Sequence, residues 1–423
     1  MAGRFTRRDA LGAAAVFATA RAAKAAPAPA IGTLDGDEAY WARVAALYDV
    51  TREIIHLENG NWGMMARPVL AAYERHQETV NRRNSYYARR EYGADAVRVK
   101  QRIASALGVA PEEIALTRGA TEALQNLIGG YRRLGPGDAV LYADLDYDSM
   151  QTAMEWLRVR RGVDAVKLAL PEPASHQNVI DAYAAALEAH PNIRLLLLTH
   201  LSHRTGLIVP VRELCELARA RGADVIVDAA HSWGQLDFRV PDLGADFVGL
   251  NLHKWIGAPI GVGALYIRKD RIDDVEPYMG EPEGRPNDID ARVHTGTANY
   301  AAFLAVPDAL DLHEAITSAR KEARLRHLRD LWAERLRGHK RIEILTPPDP
   351  RMYGGITAFR LDGRSDIDAN IAVARELLER FNIFTVHRTG LASGACVRVT
   401  PSLFNSEQDI VALTDALPRL TAG

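Results

Sequence analysis

The chain of 423 residues has only two cysteines, Cys215 and Cys396, and only seven lysines among its 52 basic residues. No zinc site or disulfide framework can be built from two cysteines, so we expect both to be core residues. Basic and acidic residues nearly cancel to a net charge of −2, which excludes a global field that would attract nucleic acid. The composition therefore favours a protein that acts on a small, neutral or anionic molecule.

The N-terminal segment carries an arginine pair, Arg7 and Arg8, followed by an apolar stretch at residues 11–20 and small-residue sites up to residue 30. The stretch is shorter than the ~20 residues of a comfortable membrane span, so we expect no stable membrane insertion. The order of these regions is typical of a twin-arginine export signal, which we place at residues 1–30. We predict a periplasmic protein exported in the folded state by the twin-arginine machinery. A disordered basic tail or an uncleaved anchor is the alternative.

The remainder of the chain alternates helical patterns with short runs that are mostly apolar, at residues 113–117, 138–142, 164–168, 194–199, 224–228 and 246–250. Continuous apolar runs are expected of strands that are covered on both faces. We predict an α/β fold in which a large domain, residues 67–307, contains a mostly parallel sheet covered by helices. Residues 308–423 are predicted to form a smaller α+β domain, and residues 31–66 its N-terminal segment at the rim of the active site.

Two details of this organisation can be predicted further. Residues 263–268 follow a glycine-rich loop that is too short for a crossover helix, so we expect this strand to pair antiparallel with its predecessor. The smaller domain is expected to begin with one long charged helix over residues 313–338.

Two of the apolar runs end in residues suited to one kind of chemistry. Lys254 directly follows the apolar run at residues 245–253, and Asp228 is the last residue of the run at residues 224–228. A lysine can form an imine with pyridoxal 5'-phosphate, and a carboxylate beside the ring nitrogen keeps the pyridine protonated as an electron sink. Lys254 can also act as general base and acid. Asp228 alone could be an N-cap or turn residue, but the pair predicts a pyridoxal phosphate enzyme.

A glycine turn between a predicted strand and a predicted helix, at Gly119, Ala120 and Thr121, is a candidate phosphate site. Backbone N–H groups at the start of a helix bind anions, and the helix dipole assists them. Ordinary helix capping by Thr121 is the alternative. Asn251 and His253, which precede the lysine, are expected to donate hydrogen bonds to the same phosphate.

Several polar and aromatic residues follow the predicted strands and are candidates to contact the pyridine ring. Tyr147 can lay its aromatic face on the ring, whereas packing or surface exposure is its alternative. Ser202 and His203 can reach the phenolic oxygen, or can form a turn that closes on Gly206. His231 can contact the phenolic oxygen or a substrate, although lone histidines usually have packing or surface roles.

Two residues are candidates for substrate binding. Arg398 lies in a late strand-like run and can bind a carboxylate with two parallel hydrogen bonds, unless it is a solvated strand arginine. Asn61 lies in the loop at residues 59–62, which we expect to border the pocket.

Taken together, the ordered motifs resemble the class V aminotransferase family of fold-type I pyridoxal phosphate enzymes, over residues 119–124, 228–231, 251–255, 296–300 and 397–405. The histidine-lysine-tryptophan motif at residues 253–255 and the last motif look most similar to the isopenicillin N epimerase branch. The resemblance spans about residues 57–413 and implies a homodimer in which Thr297 reaches the partner subunit's phosphate. It also implies the roles assigned above to Thr121, Tyr147, Asp228, His253, Lys254 and Arg398.

The resemblance implies an enzyme that acts at the α-carbon of an amino acid or of a peptide derived from one, with epimerisation as the expected reaction. Lys254 would move the proton, directly or with Tyr86, Tyr87 or His203 as a second group. The first alternative is transamination or oxidative deamination of a peptide natural product such as a siderophore precursor. Export favours it, because the periplasm holds few free keto acids.

A non-catalytic periplasmic binding protein on the same fold is the second alternative, although such a protein needs neither Lys254 nor Asp228. Two departures from the family concern single residues. Asn251 stands where many members carry serine or threonine. Cys396 lies two residues from Arg398 in a strand, whereas a cysteine desulfurase carries its nucleophilic cysteine on a mobile loop, so sulfur transfer is not expected.

Overall fold

The computed structural model of the protein describes residues 37–282 and 285–420. The export signal predicted at residues 1–30 lies outside these ranges. Among these residues, no helix combines the length and the apolar character that a bilayer span requires.

Helices and one short strand precede the main sheet: α1 (Glu38–Ala45), β1 (Ile55–His56), α2 (Arg67–Arg90) and α3 (Tyr92–Leu107). The first helix begins where the Asp37 side chain accepts a hydrogen bond of 3.0 Å from the Tyr40 N–H, as an N-cap residue does. The third ends at Gly108, whose φ of +73° is the left-handed conformation that favours glycine after a helix. Local capping thus fixes both ends of this helical segment.

The main sheet has seven strands: β2 (Ile114–Thr117), β3 (Ala139–Ala143), β4 (Asp164–Leu168), β5 (Ile193–Thr199), β6 (Asp224–Asp228), β7 (Phe247–Asn251) and β8 (Gly263–Ile267). Their order across the sheet is β2-β8-β7-β6-β5-β3-β4. Strands β3 to β7 are parallel to one another, whereas β8 is antiparallel to both β7 and β2. The predicted α/β fold and the predicted antiparallel strand are both confirmed.

Helices cover both faces of this sheet: α4 (Ala120–Gly130), α5 (Asp148–Arg161), α6 (His176–Ala189), α7 (Val211–Ala220), α8 (Val240–Leu243) and α9 (Tyr300–Leu304). Alternate side chains of β5 show the two buried faces directly. Leu196 and Leu198 belong to one hydrophobic cluster, and Leu195 and Leu197 belong to another. A strand that is buried on both faces needs apolar residues at every position, which explains the uninterrupted run in the sequence.

The C-terminal part of the described chain contains α10 (Val306–Ile316), α11 (Ser318–Leu336), β9 (Ile342–Ile344), β10 (Thr357–Leu361), α12 (Ile367–Phe381), β11 (Ile383–Phe384), β12 (Val386–Arg388), β13 (Cys396–Val399) and α13 (Glu407–Ala416). Four of the strands form an antiparallel sheet in the order β12-β13-β10-β9. This sheet and its helices form the smaller α+β region.

The single long helix predicted over residues 313–338 is wrong, because Thr317 divides it. Thr317 has a φ of +77°, and its side chain accepts a hydrogen bond from the Arg320 N–H as the N-cap of α11. Leu310 of α10 packs in the core of the large sheet, whereas Leu328 of α11 packs in that of the small sheet. Thr317 therefore separates a helix that packs on the large sheet from one that packs on the small sheet, and the domain boundary at residue 308 stays a prediction.

The strand β1 joins the beginning of the described chain to its C-terminal region. Ile55 pairs in parallel with Ile383 of β11, and Glu58 forms an isolated parallel bridge with Thr400. These pairings place residues 58–63 between the small sheet and the carboxyl edge of the large sheet.

Candidate active site

The carboxyl ends of β5, β6 and β7, the start of α4 and the loop after β1 surround a cavity of about 520 Å³. Such edges are where α/β sheets bind ligands, because the loops that follow the strands diverge there. The predicted residues that line the cavity are Asn61, Gly119, Ala120, Thr121, Tyr147, His203, Asp228, His231, Asn251, His253, Lys254 and Arg398. Gly60, from the predicted loop at residues 59–62, also lines it, as do residues that the sequence analysis missed: Arg118, Glu122, Leu124, Gln125, Thr199, Ala230 and Arg388.

The side-chain amine of Lys254 lies at the centre of this arrangement. Its Nζ atom is 2.9 Å from the Nε2 atom of His231. Burial lowers the pKa of Lys254 to about 8, and the nearby carboxylate of Asp228 opposes this change. The amine therefore has a substantial neutral, nucleophilic fraction near neutral pH.

The hydrogen bonds of His231 agree with a neutral lysine. The indole Nε1–H of Trp255 donates to the Nδ1 atom of His231 at 3.4 Å, so this nitrogen carries no proton. Burial lowers the pKa of His231 well below its ordinary value, and a neutral imidazole must then carry its proton on Nε2. When Lys254 is unprotonated, the Nε2–H group donates to its amine.

Asp228 is the last residue of β6, and its carboxylate is buried. Its Oδ1 atom accepts a hydrogen bond of 2.9 Å from the Ala230 N–H. Burial raises the pKa of Asp228, whereas this hydrogen bond and the nearby Lys254 lower it. A cationic ring nitrogen placed against the carboxylate would stabilise its ionised form.

The start of α4 presents backbone to the cavity. A Cβ atom added to Gly119 would lie 3.1 Å from both the Asn251 Oδ1 and the His253 Cε1 atoms, so a side chain here would crowd both residues. We call the backbone at Gly119 and Ala120 the backbone cradle. The Ala120 N–H donates to the Asn251 Oδ1 at 2.7 Å, and the His253 Nδ1–H donates to the Val262 carbonyl at 2.9 Å. Asn251 thus holds the helix start, a role that the sequence analysis did not assign to it.

Tyr147 and His203 are neighbours in the lining of the cavity. Their rings meet edge to face with centroids 5.3 Å apart, and the His203 ring is nearly parallel to that of His231 at 6.4 Å. The buried Nδ1 atom of His203 has no hydrogen-bond partner among the described residues. It is therefore a polar group that lines the cavity and is free to bind a ligand.

Two predicted cofactor contacts are not part of this cavity. The Oγ atom of Ser202 accepts from the N–H groups of Arg204 and Thr205 at 3.2 and 3.4 Å, which is the turn that the sequence left open as the alternative. Thr297 is exposed and does not line the cavity. Its predicted contact with a partner subunit stays a prediction.

Arg398 has a different environment from the open carboxylate site that was predicted. Its Nη2 atom lies 2.5 and 2.6 Å from the two carboxylate oxygens of Glu58, and its Nη1 donates to the His203 carbonyl at 2.5 Å. The second arginine, Arg388, lies 3.5 Å from the same carboxylate, and burial lowers its pKa to about 10. Glu58 precedes the predicted loop at residues 59–62 by one residue, and Arg388 is the last residue of β12.

Gly63 allows the loop after β1 to approach the lysine. Its N–H donates to the His253 carbonyl at 2.8 Å, and an added Cβ atom would lie 1.8 Å from the Lys254 carbonyl oxygen. We expect Gly63→Ala to destabilise the protein by about 1–3 kcal/mol, as overpacking does, and to slow its reaction. Chemical unfolding and turnover assays measure the two effects.

The matched control is Gly93→Ala in α3, where an added Cβ would meet no atom within 4 Å. Alanine is a better helix former than glycine, so this variant should be stabilised by up to about 1 kcal/mol with unchanged turnover. Equal stabilities of the two variants would contradict the assigned contact between Gly63 and the lysine backbone.

Residues 65–413 match the family model of class-V aminotransferases. The chain belongs to this family. It is 30% identical to isopenicillin N epimerase of Streptomyces clavuligerus over 399 residues, which cover 90% of this chain and 98% of that protein. It is also 30% identical over 281 residues to a putative L-cysteine desulfhydrase 2 of Oryza sativa subsp. japonica, covering 62% of this chain and 58% of the relative.

Solved structures share the fold. The cysteine desulfurase CsdA of Escherichia coli superimposes with a TM-score of 0.75 at 20% sequence identity, over 90% of this chain and 98% of that one. This similarity confirms the fold-type I architecture predicted from the sequence.

The cofactor of this class V enzyme is pyridoxal 5'-phosphate, and the residues of the cavity fit it. The neutral amine of Lys254 suits covalent attachment, and Asp228 suits the ring nitrogen. The backbone cradle at Gly119 suits the phosphate, and the unpartnered Nδ1 of His203 offers a polar contact at the ring. When bound, the cofactor supplies an electron sink for a carbanion at the substrate's α-carbon.

The pKa of Lys254 predicts how cofactor capture depends on pH. Only the unprotonated amine is nucleophilic, so the capture rate should fall about tenfold per pH unit below 8 and level off above it. Stopped-flow absorbance of cofactor-free protein mixed with pyridoxal 5'-phosphate measures this rate. A midpoint near the ordinary value of 10.5 would contradict the described environment of the amine.

Proposed function

We propose that this protein epimerises the α-carbon of an amino acid or of a peptide derived from one. The observation that carries the proposal is the enclosed, partly neutral amine of Lys254, which shares a cavity with Asp228 and two arginines. The relative from Streptomyces clavuligerus, which is named an epimerase and is covered over 98% of its length, supports the same reaction.

The arginines favour a substrate with one carboxylate close to the reacting carbon. Arg388 and Arg398 bring two positive charges to the cavity wall, and Glu58 neutralises one of them. The remaining positive charge suits one carboxylate of the substrate. Arg388 also lines a neighbouring cavity with Trp62 and Phe384, which gives a longer substrate apolar surface for its remaining atoms.

Epimerisation requires the α-proton to leave one face and a proton to return to the other. Lys254 removes and returns protons as its amine changes charge, with His231 as its hydrogen-bond partner. Of the three second groups considered from the sequence, only His203 lines the cavity. Tyr86 is 63% exposed, and the Tyr87 hydroxyl donates to Asp95, so neither tyrosine lines the cavity of its own chain.

The thiols argue against sulfur transfer through a cysteine. Cys215 and Cys396 are the two cysteines of the chain, both are buried, and burial raises the pKa of each to about 12. A nucleophilic cysteine needs an accessible thiolate with a lowered pKa. The absence of such a thiol disfavours sulfur transfer through a cysteine and agrees with the proposed reaction at the α-carbon.

The proposal is tested by incubating the cofactor-loaded protein with L-amino acids and short peptides in D₂O. Chiral chromatography measures the configuration, and NMR measures deuterium at the α-carbon. Inverted configuration with α-deuterium and no keto product is the expected result.

Keto products without inversion would replace the proposal with transamination or oxidative deamination of a peptide natural product. Sulfide released from L-cysteine would replace it with the desulfhydrase reaction named for the rice relative. A protein that exchanges no α-proton in any substrate, although it holds the cofactor on Lys254, would favour a binding protein.

We propose that the functional unit is a homodimer, as the family resemblance implies. Light scattering coupled to gel filtration tests the dimer. Loss of cofactor affinity in Thr297→Ala would support the contact of Thr297 with the partner subunit's phosphate.

We also propose export to the periplasm by the twin-arginine route. The support is the order of charged, apolar and small residues within residues 1–30. Replacement of Arg7 and Arg8 by lysine should retain the protein in the cytoplasm, which fractionation followed by immunoblotting measures. Unchanged periplasmic recovery would contradict the proposal.

A further inference from the structure

Lys321 is a buried lysine that lies outside the cavity. Its side chain, in the first turn of α11, is in a residue only 4% exposed, and its Nζ atom donates to the backbone carbonyl of Trp255. No carboxylate forms an ion pair with it within residues 37–282 and 285–420; burial alone lowers its pKa, to about 7. Burying an amine without an acidic partner is unfavourable, so its hydrogen bonds must fix its position.

A histidine and a serine complete the surroundings of this amine. The Nζ atom of Lys321 lies 3.2 Å from the Nδ1 atom of His313 on α10, and the His313 Nε2 lies 3.1 Å from the Ser318 Oγ. Burial and the nearby lysine keep the pKa of His313 well below its ordinary value. With Nδ1 accepting from the lysine, the Nε2–H donates to Ser318, and every partner has a defined role.

Trp255 connects this cluster to the cavity. It follows Lys254 directly, and its ring packs in a hydrophobic cluster with Ile316 and Leu325 of the two helices. Lys321 holds the carbonyl of Trp255, while the indole N–H donates to the Nδ1 atom of His231. The same residue thus binds the buried lysine with its backbone and the cavity histidine with its side chain.

We propose that Lys321 is a positioning residue for the lysine of the cavity. By holding the Trp255 carbonyl, it orients the indole that keeps the proton of His231 on Nε2, and therefore keeps the Nε2–H donating to Lys254. The inference rests on the proposed function only for the use made of Lys254, because the hydrogen bonds exist without substrate.

The test measures the tautomer of His231 in cofactor-free protein labelled with ¹⁵N-histidine, by long-range ¹H–¹⁵N NMR. His231→Gln assigns the signal. Lys321→Met removes the donor with little change of volume, and Trp255→Phe removes the indole N–H. Each should shift the ratio of the Nε2–H to the Nδ1–H form by about fivefold, the size expected for one hydrogen bond. The double variant should shift it no further than the larger single change.

Lys269→Met, which removes an exposed lysine, is the matched control and should leave the His231 signal unchanged. If Lys321→Met does not fold, Lys321→Gln replaces it in the test. The glutamine side chain is one atom shorter than that of lysine, so it cannot reach the Trp255 carbonyl in the same way. An unchanged His231 signal in a folded Lys321 variant would overturn the proposal. Additive shifts in the double variant would overturn the route through Trp255.

This measurement separates the inference from the proposed function. The tautomer is read without cofactor or substrate, so a failed epimerase assay leaves it intact. Conversely, an unchanged tautomer in the Lys321 variants would leave the epimerase proposal standing.

Discussion

Lys254→Ala should lose turnover by at least about 10³-fold and should lose covalent attachment of pyridoxal 5'-phosphate. Alanine removes both the group that holds the cofactor and the base that moves the α-proton. Mass mapping after borohydride reduction should find the cofactor on Lys254 in the natural protein and on no residue of the variant. Turnover is measured with whichever amino acid or peptide the natural protein converts.

The control for this change is Lys269→Ala, at an exposed lysine, which should keep both turnover and attachment. Thermal unfolding should show both variants folded, because Lys254 makes no ion pair within residues 37–282 and 285–420 and the loss of a half-buried amine also removes part of its desolvation cost. Unchanged turnover in Lys254→Ala would remove this lysine from the mechanism.

Asp228→Asn should reduce turnover on the order of 10²–10³-fold while the protein remains folded. The asparagine carbonyl can still accept the hydrogen bond from the Ala230 N–H, so the end of β6 keeps its geometry. The lost charge no longer holds a proton on the ring nitrogen, and breaking a buried charge pair is worth roughly 3–5 kcal/mol. Turnover and the absorbance spectrum of the bound cofactor measure the effect.

The matched control is Asp224→Asn, because Asp224 is the first residue of β6 and Asp228 is the last. Asp224 lies 2.5 Å from Arg271 in an ion pair and does not line the cavity. This variant should lose stability in chemical unfolding and keep its turnover per folded molecule. A similar loss of turnover in both variants would mean that Asp228 acts only through the stability of β6.

The large sheet, and the residues at its carboxyl edge that line the cavity, could be predicted from the sequence because both follow from local patterns. A strand buried on two faces must be apolar throughout, so a polar residue at its carboxyl end, such as Asp228, is conspicuous. Lys254 is conspicuous for the same reason, because it follows the apolar run at residues 245–253, which includes β7. The glycine turn at Gly119 is local too, since a helix start exposes its N–H groups whatever lies elsewhere.

The residues that the sequence did not predict owe their roles to contacts between distant parts of the chain. Glu58 and Arg388 meet because β1 pairs with β11 and β12 pairs with β13, and neither pairing has a local signal. Lys321 resembles any lysine of a charged helix until Trp255 is placed beside it. The break at Thr317 was missed because threonine rarely adopts a positive φ.

Arg398, which lines the cavity, donates to Glu58, and the two residues are 340 positions apart in the chain. Closing a loop of that length carries a large entropic cost before any contact between its ends can compensate. The strand β1 therefore stays unpaired until β11, near the end of the polypeptide, has been synthesised. We expect refolding to restore helical structure early and the ability to hold the cofactor last, as a separate slow phase.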